Sequence, residues 1–164
     1  MNIPGVFRLF SKFASRQRTP HELALAALAR REYDDARERL GALLEDGGLT
    51  PAERAFYLNK RGIALAALER VPEAREDFEA ALLCVPRFAP SLTNLGNLLM
   101  EAGDVDGAVE RYRAAIAADD EYPVAHFNLG VALKRGGNVA EGVREMRKAQ
   151  RLEGRMGRKQ SRRP

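Results

Sequence analysis

Residues 92–116 read LTNLGNLLMEAGDVDGAVERYRAAI, and residues 125–149 read AHFNLGVALKRGGNVAEGVREMRKA. Set in register, the two stretches repeat with a period of 34 residues, and Gly62, Gly96 and Gly130 all keep it. Leu58, Leu92 and His126 precede the glycines at that period, and Leu65, Leu99 and Leu133 follow them. Further along each unit come Ala74, Ala108 and Gly142, then Phe78, Tyr112 and Met146, then Ala81, Ala115 and Ala149. A fixed period of roughly 20 to 50 residues marks an array of stacked supersecondary units.

The units are helical. Apolar residues recur at i, i+3, i+4 and i+7, which is the spacing of an amphipathic helix and not of a strand. A glycine inside a helix costs about 1 kcal/mol relative to alanine. Three glycines at one helical phase therefore imply that a neighbouring helix lies too close for a side chain. Pro72 sits where a second helix begins, a position that tolerates its missing N–H. Gly103-Asp104 and Gly136-Gly137-Asn138 supply turns between helices.

The pattern resembles the tetratricopeptide repeat over three units, 55–88, 89–122 and 123–154. The resemblance implies an all-α fold: a short right-handed superhelical solenoid of antiparallel helix pairs. Arg61 departs from the pattern, standing where the family places a leucine before the glycine, whereas Ala74, Phe78, Ala81 and Pro86 keep to it. A degenerate unit over 20–54 precedes these. Leu23, Ala24, Leu28, Tyr33, Ala36, Leu40 and Leu43 occupy its phases when Ala36 is set against Ala74, a spacing of 38 with four residues inserted around GGLTPAER. Within that insertion Thr50-Pro51-Ala52-Glu53 reads as a helix cap. The repeat domain is thus expected over 20–154, between a basic amphipathic segment (1–19) and a disordered basic tail (155–164).

Nothing in the chain suggests chemistry, and neither a cofactor nor a metal is expected. Phosphate-loop, dinucleotide, metalloprotease and serine-hydrolase motifs do not occur. His126 falls at an apolar phase and reads as a core or groove histidine. Cys84 reads as a small hydrophobe. Asp119-Asp120-Glu121 reads as a solvated turn, since three consecutive acids do not converge on one ion.

The resemblance implies that the first helices of successive units line a concave face that binds a protein or peptide ligand. The phases that would face it hold Phe56, Asn59, Lys60 and Ile63 in the first full unit. The second contributes Thr93, Asn94, Asn97 and Met100, and the third Phe127, Asn128, Val131, Lys134 and Arg135. Such a groove is apolar and amide-rich, and it turns basic at its C-terminal end. The asparagines could hold a peptide backbone, or Asn94 and Asn128 could bond between helices. A chaperone-tail carboxylate clamp is not expected, because Asn59, Ile63, Asn94, Val124 and Asn128 stand at its phases and only Asn94 fits.

The net charge of +4 is segregated. Residues 1–20 carry Arg8, Lys12, Arg16 and Arg18 and no acid, and residues 144–164 carry nine basic residues against Glu145 and Glu153. The stretch between holds 21 acidic and 14 basic residues. An acidic body with basic ends is unlike a nucleic-acid-binding domain, so nucleic acid is not the expected partner. The tail's charge suits RNA, lipid headgroups or the acidic body of another copy. Ile3, Val6, Phe7, Phe10, Phe13 and Ala14 share one face of an N-terminal helix. Capping of the solenoid, contact with an anionic membrane surface and a targeting or partner-binding role remain open for it. No closing polar helix follows the last repeat, so Val143, Met146 and Leu152 are expected to be partly uncovered and to favour self-association. A single cysteine and the lack of a long apolar run point to a cytoplasmic protein, with a membrane-peripheral assembly factor as the alternative. Arg outnumbering Lys, with abundant Ala and Gly, suggests a bacterial source.

Overall fold

The computed structural model describes residues 18–160, which are helical with no strand. The N-terminal amphipathic segment, apart from Arg18 and Thr19, lies outside the described residues, as do residues 161–164. Eight helices follow in order among the described residues. They are α1 (Pro20–Ala29), α2 (Tyr33–Leu44), α3 (Pro51–Ala67), α4 (Val71–Cys84), α5 (Ala89–Glu101), α6 (Val105–Ala118), α7 (Pro123–Arg135) and α8 (Val139–Gln160). Each packs antiparallel on the next, and the first helices α3, α5 and α7 also touch in succession.

Local sequence sets the ends of these helices. Thr19-Pro20-His21-Glu22 and Thr50-Pro51-Ala52-Glu53 form the same capping box. In each, the threonine hydroxyl accepts from the glutamate N–H and the glutamate carboxylate accepts from the threonine N–H. Thr19-Pro20 thus starts α1. The turn inside each pair is equally regular. Arg31 (φ 61°), Glu69 (φ 61°), Gly103 (φ 84°) and Gly137 (φ 90°) all take the left-handed conformation. The N–H of the following residue then reaches back to the carbonyls of Ala27, Leu65, Leu99 and Leu133 at 2.8–3.0 Å. Their spacing of 38, 34 and 34 residues reproduces the offset between Ala36 and Ala74.

Within each pair a glycine of the first helix meets a large side chain of the second. A Cβ on Gly62 would lie 2.6 Å from the Phe78 ring, and one on Gly96 would lie 2.5 Å from the Tyr112 ring. In the last pair the approach is closer. A Cβ on Gly130 would lie 2.7 Å from the Gly142 carbonyl oxygen, and one on Gly142 would lie 2.6 Å from that of Gly130. The other pairs have buried Ala74 and Ala108 in place of Gly142. Buried alanines and leucines fill the space between, which suits a chain without Trp.

Arg61 departs from the repeat for a structural reason. Its equivalents Leu95 and Leu129 are buried, whereas the Arg61 guanidinium makes a bidentate ion pair with buried Asp77 (2.7 and 2.8 Å) beside Gly41. These bonds raise its pKa above the ordinary value against the opposing effect of burial.

Two expectations for the C-terminus are corrected. The chain from 155 is helical as far as Gln160, because α8 is already nucleated on α7 and extending a helix is cheap. Its last turns are rich in basic residues, which suits the negative end of the helix dipole. Leu152 is buried (6% exposed), because it lies on the inward face of α8 one turn beyond Ala149. Val143 and Met146 are half-buried, as expected of an open end.

Candidate functional site

A chain of amides crosses the first helices. Asn59 on α3 accepts from the Ser91 hydroxyl (3.1 Å) and from Asn94 Nδ2 (2.9 Å), both on α5. Asn97, one turn after Asn94, accepts from Asn128 Nδ2 on α7 (2.8 Å) and from the Tyr112 hydroxyl on α6 (2.8 Å). Asn97 Nδ2 also points to Asn94 Oδ1 at 3.5 Å. Each asparagine therefore ties one unit to another. Burial pushes the Tyr112 phenol up to about 12, and the negative charge of Glu101 adds to the shift.

Two of the expected groove residues are corrected. Asn59 (2% exposed) and Thr93 (1% exposed) are buried, and the Thr93 hydroxyl donates back to the Ala89 carbonyl at 2.9 Å. Phe127 stands at the same repeat position as these two and is 47% exposed. The difference is that the first helix of a following unit covers α3 and α5, while none among the described residues covers α7.

Beside the amides lies a cleft of about 270 Å³ that gathers Asn97, Met100, Phe127, Asn128 and Val131 from α5 and α7. Tyr112 and Glu101 complete its lining, and sequence reasoning missed both as groove residues. Tyr112 was legible as the large residue facing Gly96, but its hydroxyl reaches past the core to Asn97. Lys134 and Arg135 are exposed where α7 ends, and Arg135 reaches the Met100 carbonyl at 3.5 Å.

The other expected residues lie apart from this cleft. Phe56 stacks with His21 and meets the edge of Tyr57, beside a shallow depression of about 490 Å³ near the start of α1. Lys60 lies over the Phe56 ring at 5.3 Å, a cation–π contact. Ile63 is half-buried against the core that contains Leu65 and Phe78.

His126 is a core residue. It is almost fully buried, with Nδ1 2.6 Å from a Glu145 carboxylate oxygen and Nε2 3.0 Å from the Asp120 carbonyl, which joins α7 to α8 and to the preceding turn. Asp119 accepts from the Glu121 N–H in an exposed turn. Cys84 is half-buried against the first core cluster. Among the described residues no group of three or more His, Cys, Asp or Glu side chains is placed to hold a metal ion. No described helix is long and apolar enough to cross a membrane.

Comparison with known proteins agrees with this geometry. Residues 21–91 match the family model described as tetratricopeptide repeat, and residues 96–137 match a second described as TPR repeat. Among solved structures the chain is similar to MamA, at 20% identity over 93% of this chain and 86% of that one, with a TM-score of 0.66. It is similar to YrrB, a TPR protein with an unusual peptide-binding site, at 18% identity over 82% of this chain and 68% of that one, with a TM-score of 0.60. The second TPR of Spaghetti (RPAP3), bound to the HSP90 peptide SRMEEVD, matches at 18% identity over 62% of this chain and 94% of that one, with a TM-score of 0.57. At these identities the structural likeness shows the fold alone; the two family matches, which together span more than half of the chain, show that it belongs to the tetratricopeptide-repeat family.

Proposed function

We propose that the protein is a non-enzymatic interaction scaffold that binds a peptide or partner helix on its concave face, in the cleft between α5 and α7. The carrying observation is the exposure of Phe127 and Val131 (47% and 40%) beside Met100, in a cleft bounded by amides. These amides already bond to one another, so their role is to fix the wall while the apolar side chains receive the ligand. An apolar anchor is the expected occupant. An acidic residue next to it would meet Lys134 and Arg135. The peptide-bound RPAP3 domain shows that the fold can serve this purpose in another protein. Selection of a random peptide phage library on the immobilised protein tests the reading. Enrichment of peptides pairing an apolar residue with Asp or Glu is expected, with loss of their binding in Phe127→Ala plus Val131→Ala. Enriched peptides indifferent to both substitutions would place the ligand elsewhere.

A second observation favours association between copies at the C-terminal end. There α7 and α8 leave an open cleft of about 460 Å³ whose walls include Phe127, Val143 and Met146. Light scattering over a concentration series is expected to show mass rising above the monomer, and a constant monomer mass would exclude this reading.

A further inference from the structure

Helix α8 has 22 residues and its partner α7 has 13, so α8 runs well past the pair it completes. Its basic residues Arg144, Arg147, Lys148, Arg151, Arg155 and Arg158 recur at intervals of three and four, which places them in one stripe. Arg144, Arg151 and Arg155 form its centre, spread over about 16 Å of helix axis. All three are exposed, and none makes an ion pair among the described residues. Buried Gly142 and Ala149 lie on the other side of α8, so the stripe faces away from the core. No aromatic or large aliphatic residue interrupts it. Like charges at these spacings destabilise a helix, and an acidic surface laid against the stripe would offset that cost.

The chain carries such a surface at its other end. Between α2 and α4, above Arg61 and Leu65 of α3, lies a cleft of about 470 Å³. Five carboxylates line it against three guanidinium groups. Asp77 and Glu73 are held by Arg61 and Arg70, and Glu38 meets Arg37 at 3.4 Å. Glu45 and Glu76 are exposed and make no ion pair among the described residues. The cleft therefore keeps a negative excess. Its own α8 does not supply the balance, because α8 packs on α7 at the opposite end of the array.

We propose that the basic stripe of α8 docks on the acidic cleft between α2 and α4 of a second copy, joining copies head to tail. This rests on the reading that copies associate at the C-terminal end, and it names the surface that receives that end. The two surfaces differ, so each joined pair keeps one free cleft and one free stripe, and assembly continues into a ring or filament. The contact is ionic, so salt weakens it.

Sedimentation velocity on the full chain, over a range of concentrations at low and high ionic strength, provides the test. The wild type is expected to form species larger than a dimer at low salt and to return to monomer at high salt. Arg144→Gln, Arg151→Gln and Arg155→Gln together should give a monomer, as should Glu38→Gln, Glu45→Gln and Glu76→Gln together, with unchanged circular dichroism in both. Mixed, the two variants hold one intact stripe and one intact cleft between them, so they should form a dimer and nothing larger. A wild type that stays monomeric throughout overturns both this proposal and the end-on reading, and so does a stripe that holds only anionic vesicles or nucleic acid while the protein remains monomeric. Association that persists in the cleft variant overturns this proposal alone.

Discussion

Replacing Gly130 by alanine sets two opposed effects against each other at one atom. In an open helix alanine is better than glycine by about 1 kcal/mol. At Gly130 the added carbon would lie 2.5 Å from Met146 Cγ and 2.7 Å from the Gly142 carbonyl oxygen. The methionine side chain is flexible and can turn aside. The carbonyl belongs to the α8 backbone, so relieving that contact requires α7 and α8 to move apart by several tenths of an ångström. Overpacking of this kind costs about 1–3 kcal/mol, and separating the helices also loosens contacts around Leu129 and Leu133, so a net loss of about 1–2 kcal/mol is expected. Gly154 is the control. It lies on the same helix pair with nothing within 4 Å of its Cβ position, so alanine there should stabilise by up to about 1 kcal/mol. Urea unfolding followed by far-ultraviolet circular dichroism measures both. A Gly130→Ala protein as much stabilised as Gly154→Ala would refute the close approach of α7 and α8.

The left-handed turn at Glu69 should welcome glycine, so Glu69→Gly is expected to raise stability by up to about 1 kcal/mol; a fall in the urea midpoint would contradict the turn geometry. Asp77→Asn removes the anion that faces the half-buried Arg61 and should cost about 2 kcal/mol, less than for a pair wholly out of water. An unchanged midpoint would mean the pair contributes nothing. The Tyr112 phenol ionises at about 12 in the folded protein against an ordinary value of 10.0. The folded state therefore holds this proton where the unfolded chain releases it, so the stabilisation is present below pH 10 and is lost as the pH rises through 12. Tyr112→Phe should flatten this alkaline decline, and an identical decline in that variant would assign it to other groups.

The repeat was legible because close helix contact imposes a chemical rule on the sequence. Only glycine fits where Phe78, Tyr112 and Met146 press on the preceding helix, so the period of 34 survives even where side chains vary. The degenerate unit was legible for a related reason: buried Ala24 and Ala36 mark helix contact as the glycines do. The groove was harder to read. Asn59, Thr93 and Phe127 share one repeat position, and which of them meets solvent depends on whether another unit follows, a property of the array and not of the residue. The amide chain was invisible as a chain, because its links join residues 31 to 35 positions apart and so do not keep the period of 34. The stripe on α8 was present in the sequence as basic residues three and four apart. Its last part, from Arg155 on, was read as a disordered tail because Gly154 and Gly157 suggested a break, whereas a helix anchored on α7 tolerates them.

The most direct test of the scaffold reading is an NMR titration of isotope-labelled protein with a peptide selected on the library. Shift changes are expected to concentrate at Met100, Phe127 and Val131 and at the side-chain amides of Asn97 and Asn128, weakening toward Lys60 and Ile63. Changes confined to the outer helices α2, α4 and α6, with the cleft between α5 and α7 unperturbed, would contradict it.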